Sequence, residues 1–138
     1  MPASTRPSPL AVEDMVASAR RQIRELTPAQ VQAAVAAGAA LVDVREPAEF
    51  AQGHIAGAAN LPRGVLEFQV EAHPALACRT AEPLALRERP LVLYCRTGGR
   101  AALAAESLCR MGFGAVSSLA GGVLGWQDAG LPLESGNP

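Results

Sequence analysis

The segment LVLYCRTGGR, residues 91–100, runs from an apolar stretch through a glycine-containing loop into a helix. The apolar stretch LVLY at 91–94 has the length and the side chains of a strand that is buried on both faces. Residues 100–111 then place alanine and leucine at helical spacing, and Gly112 ends the helix. A buried strand followed directly by a helix is typical of a parallel α/β sheet.

The rest of the chain repeats this alternation of strands and helices. The clearest helix start is Thr27-Pro28-Ala29-Gln30, which has a capping residue, a proline at the first helical position and a glutamine three residues after the cap. Further strands are predicted at 40–44, 56–61 and 115–119, and further helices at 47–52, 63–70 and 124–129. The alternation predicts an α/β fold with a parallel sheet.

The length of 138 residues suits one domain. Residues 1–9 indicate a loose tail, residues 10–26 have the apolar spacing of a leader helix, and the prolines between 71 and 90 suggest a surface excursion. We therefore expect a tail and leader helix at 1–26, a folded domain at 27–135 and a short tail at 136–138.

Composition argues against several classes of function. The formal charge is −1, which gives no general attraction to nucleic acid or to an acidic membrane surface. No apolar run has the length of a signal peptide core or a membrane span, so we expect a cytoplasmic protein. The three cysteines, Cys78, Cys95 and Cys109, include no close pair, so neither a disulfide framework nor a metal site is predicted. Cys78 and Cys109 are interpreted as structural or incidental, with Cys109 on the apolar face of its helix.

Cys95 stands where a reactive group is expected. Ligands of open α/β folds gather beyond the carboxyl ends of the strands, and Cys95 follows such a strand. The loop N–H groups and the start of the next helix form a seat for an anion, and Gly98 and Gly99 can adopt the conformations that such a curl requires. Arg96 and Arg100 add positive charge. This setting favours the thiolate form, so Cys95 is the predicted nucleophile.

Two anion chemistries use a cysteine on such a loop. A loop with its arginine six places after the cysteine resembles that of cysteine phosphatases, which hold a whole phosphoryl group. Here Arg100 follows Cys95 by five places. The smaller ring better suits a single sulfur atom carried as a persulfide, while a phosphatase or arsenate-reductase-like activity on the same fold remains the alternative.

Four short motifs follow one another along the chain: DVREPAEF at 43–50, GHIAGAANLP at 53–62, CRTGGR at 95–100 and GGVLGW at 121–126. Their sequences and their order resemble those of single-domain rhodaneses, which are sulfurtransferases. From about Thr27 to Leu133 the chain resembles this family, and the resemblance implies a five-stranded parallel sheet with helices on both faces. It also implies that Cys95 takes the outer sulfur of thiosulfate and passes it to cyanide or to a small or protein thiol, without a cofactor.

The resemblance also suggests roles for the neighbouring residues. The N–H groups of residues 96 to 100, including Thr97, would stabilise the anion. Arg96 would attract a dianionic donor and favour thiosulfate over mercaptopyruvate, while Arg100 would brace the loop and bind anion.

Six residues outside the loop are interpreted as scaffold around the site. Asp43 and Arg45 are expected to form a structural ion pair, and His54 is expected to anchor a turn through its imidazole. Gly121 and Gly122 are expected to shape the pocket wall, and Trp126 is expected to be a buried packing anchor. A non-catalytic rhodanese-like binding module is the third possibility, and the presence of Cys95 argues against it.

Overall fold

The computed structural model describes residues 8–73, 76 and 87–136. Cys78 and most of the proline-containing segment 71–90 lie outside the described residues. The described strands are β1 (Arg24–Leu26), β2 (Ala40–Asp43), β3 (Ala59–Asn60), β4 (Leu91–Tyr94) and β5 (Val116–Leu119). The described helices are α1 (Val12–Arg20), α2 (Pro28–Ala36), α3 (Pro47–Gln52), α4 (Leu66–Gln69), α5 (Gly99–Arg110) and α6 (Gly122–Asp128).

The strands form one five-stranded parallel sheet in the order β1-β5-β4-β2-β3, which confirms the fold class. β4 lies in the middle and pairs with β2 and β5. The chain leaves β2 toward one edge and leaves β4 toward the other, so the connections diverge at the carboxyl ends of these two strands. Such a divergence opens a crevice where ligands bind in open α/β sheets. Cys95 lies at this point.

Apolar side chains cover both faces of the sheet. Alternate residues of β4 enter different clusters, with Leu91, Leu93 and Cys95 on one face and Val92 and Tyr94 on the other. The first face packs against buried side chains of α4 and α5, and the second against those of α2, α3 and α6. The strand is therefore buried on both faces, as its continuous apolar sequence predicts.

The start of α2 forms as its sequence predicts. The Thr27 hydroxyl accepts a hydrogen bond from the Gln30 N–H at 3.2 Å, and the Gln30 side chain accepts one from the Thr27 N–H at 2.9 Å. These two bonds satisfy N–H groups that have no partner within the helix.

The leader helix is shorter than predicted. It ends at Arg20, and Arg24–Leu26 forms an edge strand paired with β5. Ile23 packs against one core cluster and Leu26 belongs to the other. Two residues three apart would share one face of a helix, whereas in a strand they point to opposite faces. Burial on both sides of the sheet therefore overrides the helical spacing here.

Candidate active site

The Cys95 sulfur lies at the start of α5, directly after the central strand. Its side chain is buried, with 1% of its surface exposed. Sγ accepts hydrogen bonds from the backbone N–H groups of Gly98 at 3.1 Å and Ala101 at 3.4 Å. Both donors lie at the amino-terminal end of α5, where free N–H groups and the helix dipole favour negative charge. The arrangement therefore directs two backbone N–H donors at the sulfur, at the positive end of the helix dipole.

Ala101 lies beyond the loop residues expected to contact the anion. The prediction covered the N–H groups of residues 96 to 100, and the structure shows that Gly98 and Ala101 donate to the sulfur. A usable signal was present in the sequence, because the first turn of any helix has N–H groups without intrahelical partners. Arg96 and Thr97 are exposed, so they face the solvent side of the loop.

Gly98 allows the loop to curl around the sulfur. Its φ is +119°, in the region that favours glycine over residues with a side chain, and it precedes the first residue of α5. This conformation aims the Gly98 N–H at Sγ.

Gly122 holds the loop from the other side. A Cβ at Gly122 would lie 2.5 Å from the carbonyl oxygens of both Cys95 and Arg96, closer than any real side chain could come. The next two N–H groups, of Val123 and Leu124, donate to these carbonyls at 2.9 and 3.1 Å. Gly122 thus lets α6 dock its first turn directly onto the backbone of the cysteine loop.

Arg100 braces the loop against α3. Its guanidinium donates to both carboxylate oxygens of Glu49, at 2.7 and 3.0 Å. The hydrogen bonds from Arg100 lower the pKa of Glu49 from its ordinary value of 4.5 to about 2, so this carboxyl is ionised at neutral pH. Glu49 was not predicted as part of the site. It lies 51 positions from Arg100 in the chain, and its local sequence indicates only a helix start.

Asp43 and Arg45 form a buried ion pair at the end of β2. The Arg45 guanidinium donates to Asp43 at 2.7 Å and to the Gly53 carbonyl at 2.6 Å, and the Arg45 N–H donates to Asp43 at 2.9 Å. Burial lowers the pKa of Arg45, but the hydrogen bond and charge of Asp43 outweigh it and raise the pKa overall. The pair ties β2 to the turn after α3, close to the carboxyl end of β4.

His54 and Trp126 hold the carboxyl-terminal segment against the domain. The buried His54 ring donates through Nδ1 to the Phe50 carbonyl at 2.8 Å and stacks on the Phe50 ring. Its backbone exchanges two hydrogen bonds of 2.8 Å with Glu134. The Trp126 indole, 7% exposed, donates to the Pro132 carbonyl at 3.0 Å. Each contact is structural in character.

The predicted placement of Cys109 on the apolar, buried face of its helix was wrong. It lies on α5 beyond the buried face formed by Ala101, Ala104, Ala105 and Leu108, and it is exposed. Leu108, one residue earlier, is fully buried in a core cluster, so burial along this face of α5 stops between residues 108 and 109. Among the described residues, no group of three or more histidine, cysteine or acidic side chains could hold a metal ion. No helix in the described ranges is long and apolar enough to cross a membrane.

The family model of the rhodanese-like domain matches residues 27–129. The chain belongs to the rhodanese-like family. The resemblance of its four motifs is thereby confirmed, and α1 and β1 precede the matched part of the chain.

Curated relatives include proteins named sulfurtransferases. The chain is 37% identical over 93 residues to a sulfurtransferase of Allochromatium vinosum, covering 67% of this chain and 76% of the relative. It is 34% identical over 104 residues to the thiosulfate sulfurtransferase GlpE of Stutzerimonas stutzeri, covering 75% of this chain and 84% of the relative.

One solved structure is similar to this chain over nearly its whole length. It is a protein of unknown function from Rhodopseudomonas palustris, described as a possible tyrosine phosphatase. It is 32% identical to this rhodanese-like protein, with a TM-score of 0.74 over 96% of this chain and 100% of the other. The likeness extends over the amino-terminal region that the family model leaves out.

Proposed function

We propose that the protein is a thiosulfate sulfurtransferase that carries sulfane sulfur on Cys95 as a persulfide. The observation that supports this most is the Cys95 sulfur receiving two N–H donors inside a compact loop of a rhodanese-like domain. The names of the relatives point to the same chemistry.

In the first half-reaction, the Cys95 thiolate attacks the outer sulfur of thiosulfate. A bond forms between Sγ and that sulfur, the sulfur–sulfur bond of thiosulfate breaks, and its electron pair leaves with sulfite. Sγ gives up its negative charge as sulfite leaves as a dianion, and the terminal sulfur of the persulfide stays anionic, stabilised by the loop N–H groups and nearby arginines. Arg96 is exposed on the loop, and in this proposal it attracts the dianionic donor.

In the second half-reaction, an acceptor attacks the terminal sulfur of the persulfide. Cyanide would leave as thiocyanate, and a thiolate would leave as a new persulfide, while the Sγ–sulfur bond breaks and the Cys95 thiolate returns. A cavity of about 350 Å³ lined by Arg45, Glu49 and Arg96 offers space beside the loop for small reactants.

Two separate half-reactions predict ping-pong kinetics. A reducing compartment such as the cytoplasm suits this cycling thiol.

Phosphatase activity is the second candidate, because the Rhodopseudomonas palustris neighbour is described as a possible tyrosine phosphatase. Arg100 follows Cys95 by five residues, and this short loop has less room for a phosphoryl group. We expect negligible hydrolysis of p-nitrophenyl phosphate. Turnover comparable with sulfur transfer would overturn the argument from loop size.

The test of the proposed function is thiocyanate formation from thiosulfate and cyanide. Wild type and Cys109→Ser should form thiocyanate at equal rates, because Cys109 is exposed on the far end of α5. Cys95→Ser should form none above the uncatalysed rate. Thiocyanate formation by Cys95→Ser would remove this residue from the mechanism, and inactive wild type would favour the binding-module alternative.

A further inference from the structure

Helix α1 lies against the outer side of the cysteine loop. A Cβ at Gly98 would meet the Nη2 atom of Arg20 at 2.9 Å, and a Cβ at Gly99 would meet the side chain of Val16 at 3.6 Å. Residues four apart on a helix share one face, so one face of α1 covers both glycines of the loop. Ala19, next to Arg20 on α1, is fully buried. The docking is thus a packed contact at the loop itself.

Arg20 brings a positive charge to this contact. Its Nη2 atom faces Gly98, the residue whose N–H donates to Cys95, while its Nε atom lies 3.6 Å from Glu25. The side chain is 42% exposed, so it can respond to anions in solution. The other nearby loop arginine, Arg100, is neutralised by its two hydrogen bonds to Glu49. Arg20 and Arg96 are exposed, whereas Arg100 is partly buried against Glu49, so Arg20 and Arg96 are the loop-side cations that meet solvent most directly.

We propose that Arg20 is a specificity-determining residue that favours anionic reactants at Cys95, which makes α1 a working part of the active site. α1 lies before residue 27, outside the part of the chain that matches the rhodanese-like domain. The identity of the anion as thiosulfate rests on the proposed function. The preference for anionic over neutral reagents rests only on the position of the charge.

The first test compares steady-state kinetics of Arg20→Ala, Arg20→Lys and Arg21→Ala in the full chain. Arg21 is the matched control, because it lines the groove beside Leu103 and Glu106 and is not among the residues nearest to Gly98 or Gly99. Loss of one partly exposed charge should raise KM for thiosulfate about threefold to fivefold in Arg20→Ala, with kcat nearly unchanged. Arg20→Lys should recover most of the lost affinity, and the effect should shrink at high salt. An unchanged KM in Arg20→Ala, or an equal change in Arg21→Ala, would overturn the proposal.

The second test needs no sulfur transfer. Cys95 is alkylated with iodoacetate, which is anionic, and with iodoacetamide, which is neutral, and the rates are read from the Cys95 peptide by mass spectrometry. The iodoacetate to iodoacetamide rate ratio should fall about threefold to fivefold in Arg20→Ala and stay constant in Arg21→Ala. The exposed Cys109 provides an internal control whose ratio should not change.

The two tests separate the proposals. A wild type without sulfurtransferase activity but with an Arg20-dependent alkylation ratio would contradict the proposed function and support the role of Arg20. An unchanged ratio, or a Cys95 that neither reagent reaches, would contradict the role of Arg20 whatever the enzyme activity.

Discussion

Gly122→Ala should disturb the contact between α6 and the cysteine loop more than a methyl group added at any other position of α6. The new Cβ would lie 2.5 Å from the carbonyl oxygens of Cys95 and Arg96, which are backbone atoms that cannot rotate away. The φ of +59° adds strain for any residue with a side chain. The first turn of α6 must therefore move away from the loop, which weakens the Val123 and Leu124 hydrogen bonds.

Gly130→Ala is the matched control. Gly130 has a φ of +81°, and a Cβ there would meet nothing within 4 Å, so this variant has the backbone strain without the clash. We expect Gly130→Ala to lose about 1–2 kcal/mol of unfolding free energy from the left-handed conformation. Gly122→Ala should lose about 1–3 kcal/mol more from overpacking.

Urea unfolding measures the stability difference, and sulfur transfer from thiosulfate measures the effect on the site. A displaced nucleophile costs about 100-fold in rate when the shift approaches an ångström, so kcat/KM should fall by that order in Gly122→Ala. Gly130→Ala should stay within about twofold of wild type, because it does not touch the loop. Equal unfolding free energies and equal kcat/KM values for the two variants would refute the argument that Gly122 is required for close approach.

Two further variants test the ion pairs. Arg45→Met should lower the free energy of unfolding by about 3–5 kcal/mol, measured by urea titration, because it removes the only charged partner that the structure shows for the fully buried Asp43 carboxylate among the described residues. A loss below about 1 kcal/mol would contradict this. Glu49→Gln tests the ion pair between Glu49 and Arg100, in which folding lowers the pKa of Glu49 from 4.5 to about 2. The ionised Glu49 carboxylate should therefore stabilise the fold fully above pH 4.5, and this stabilisation should disappear as the pH falls toward 2. Both partners of this pair are partly exposed, so the wild type should exceed Glu49→Gln by about 1 kcal/mol or less at neutral pH. A stability difference that persists unchanged at pH 2 to 3 would contradict the assignment.

The sequence predicted the parts of the molecule that depend on local signals. Apolar runs on the central strands, the Thr27 cap and Gly98 of the cysteine loop each act within a few residues, and each forms as expected. Gly99 was expected to share the positive φ of Gly98, but it begins α5 and does not have a positive φ. The nucleophile could also be proposed, because Cys95 and its arginines are neighbours in the chain.

Contacts between distant segments could not be predicted in this way. The pairing of Arg24–Leu26 with β5 joins residues more than 90 positions apart, and its three residues show no strand pattern of their own. The Glu49 carboxylate reaches Arg100 only because α3 and the start of α5 meet at the same edge of the sheet. The same holds for Arg20, whose position beside Gly98 follows from the docking of α1 on α5.

Intact mass spectrometry without reductant, before and after addition of thiosulfate, would show whether Cys95 carries sulfur. Wild type and Cys109→Ser should each gain the mass of one sulfur atom and lose it again on addition of cyanide, and Cys95→Ser should gain none. A sulfur gain that survives in Cys95→Ser, or the absence of any gain in wild type, would contradict the persulfide mechanism.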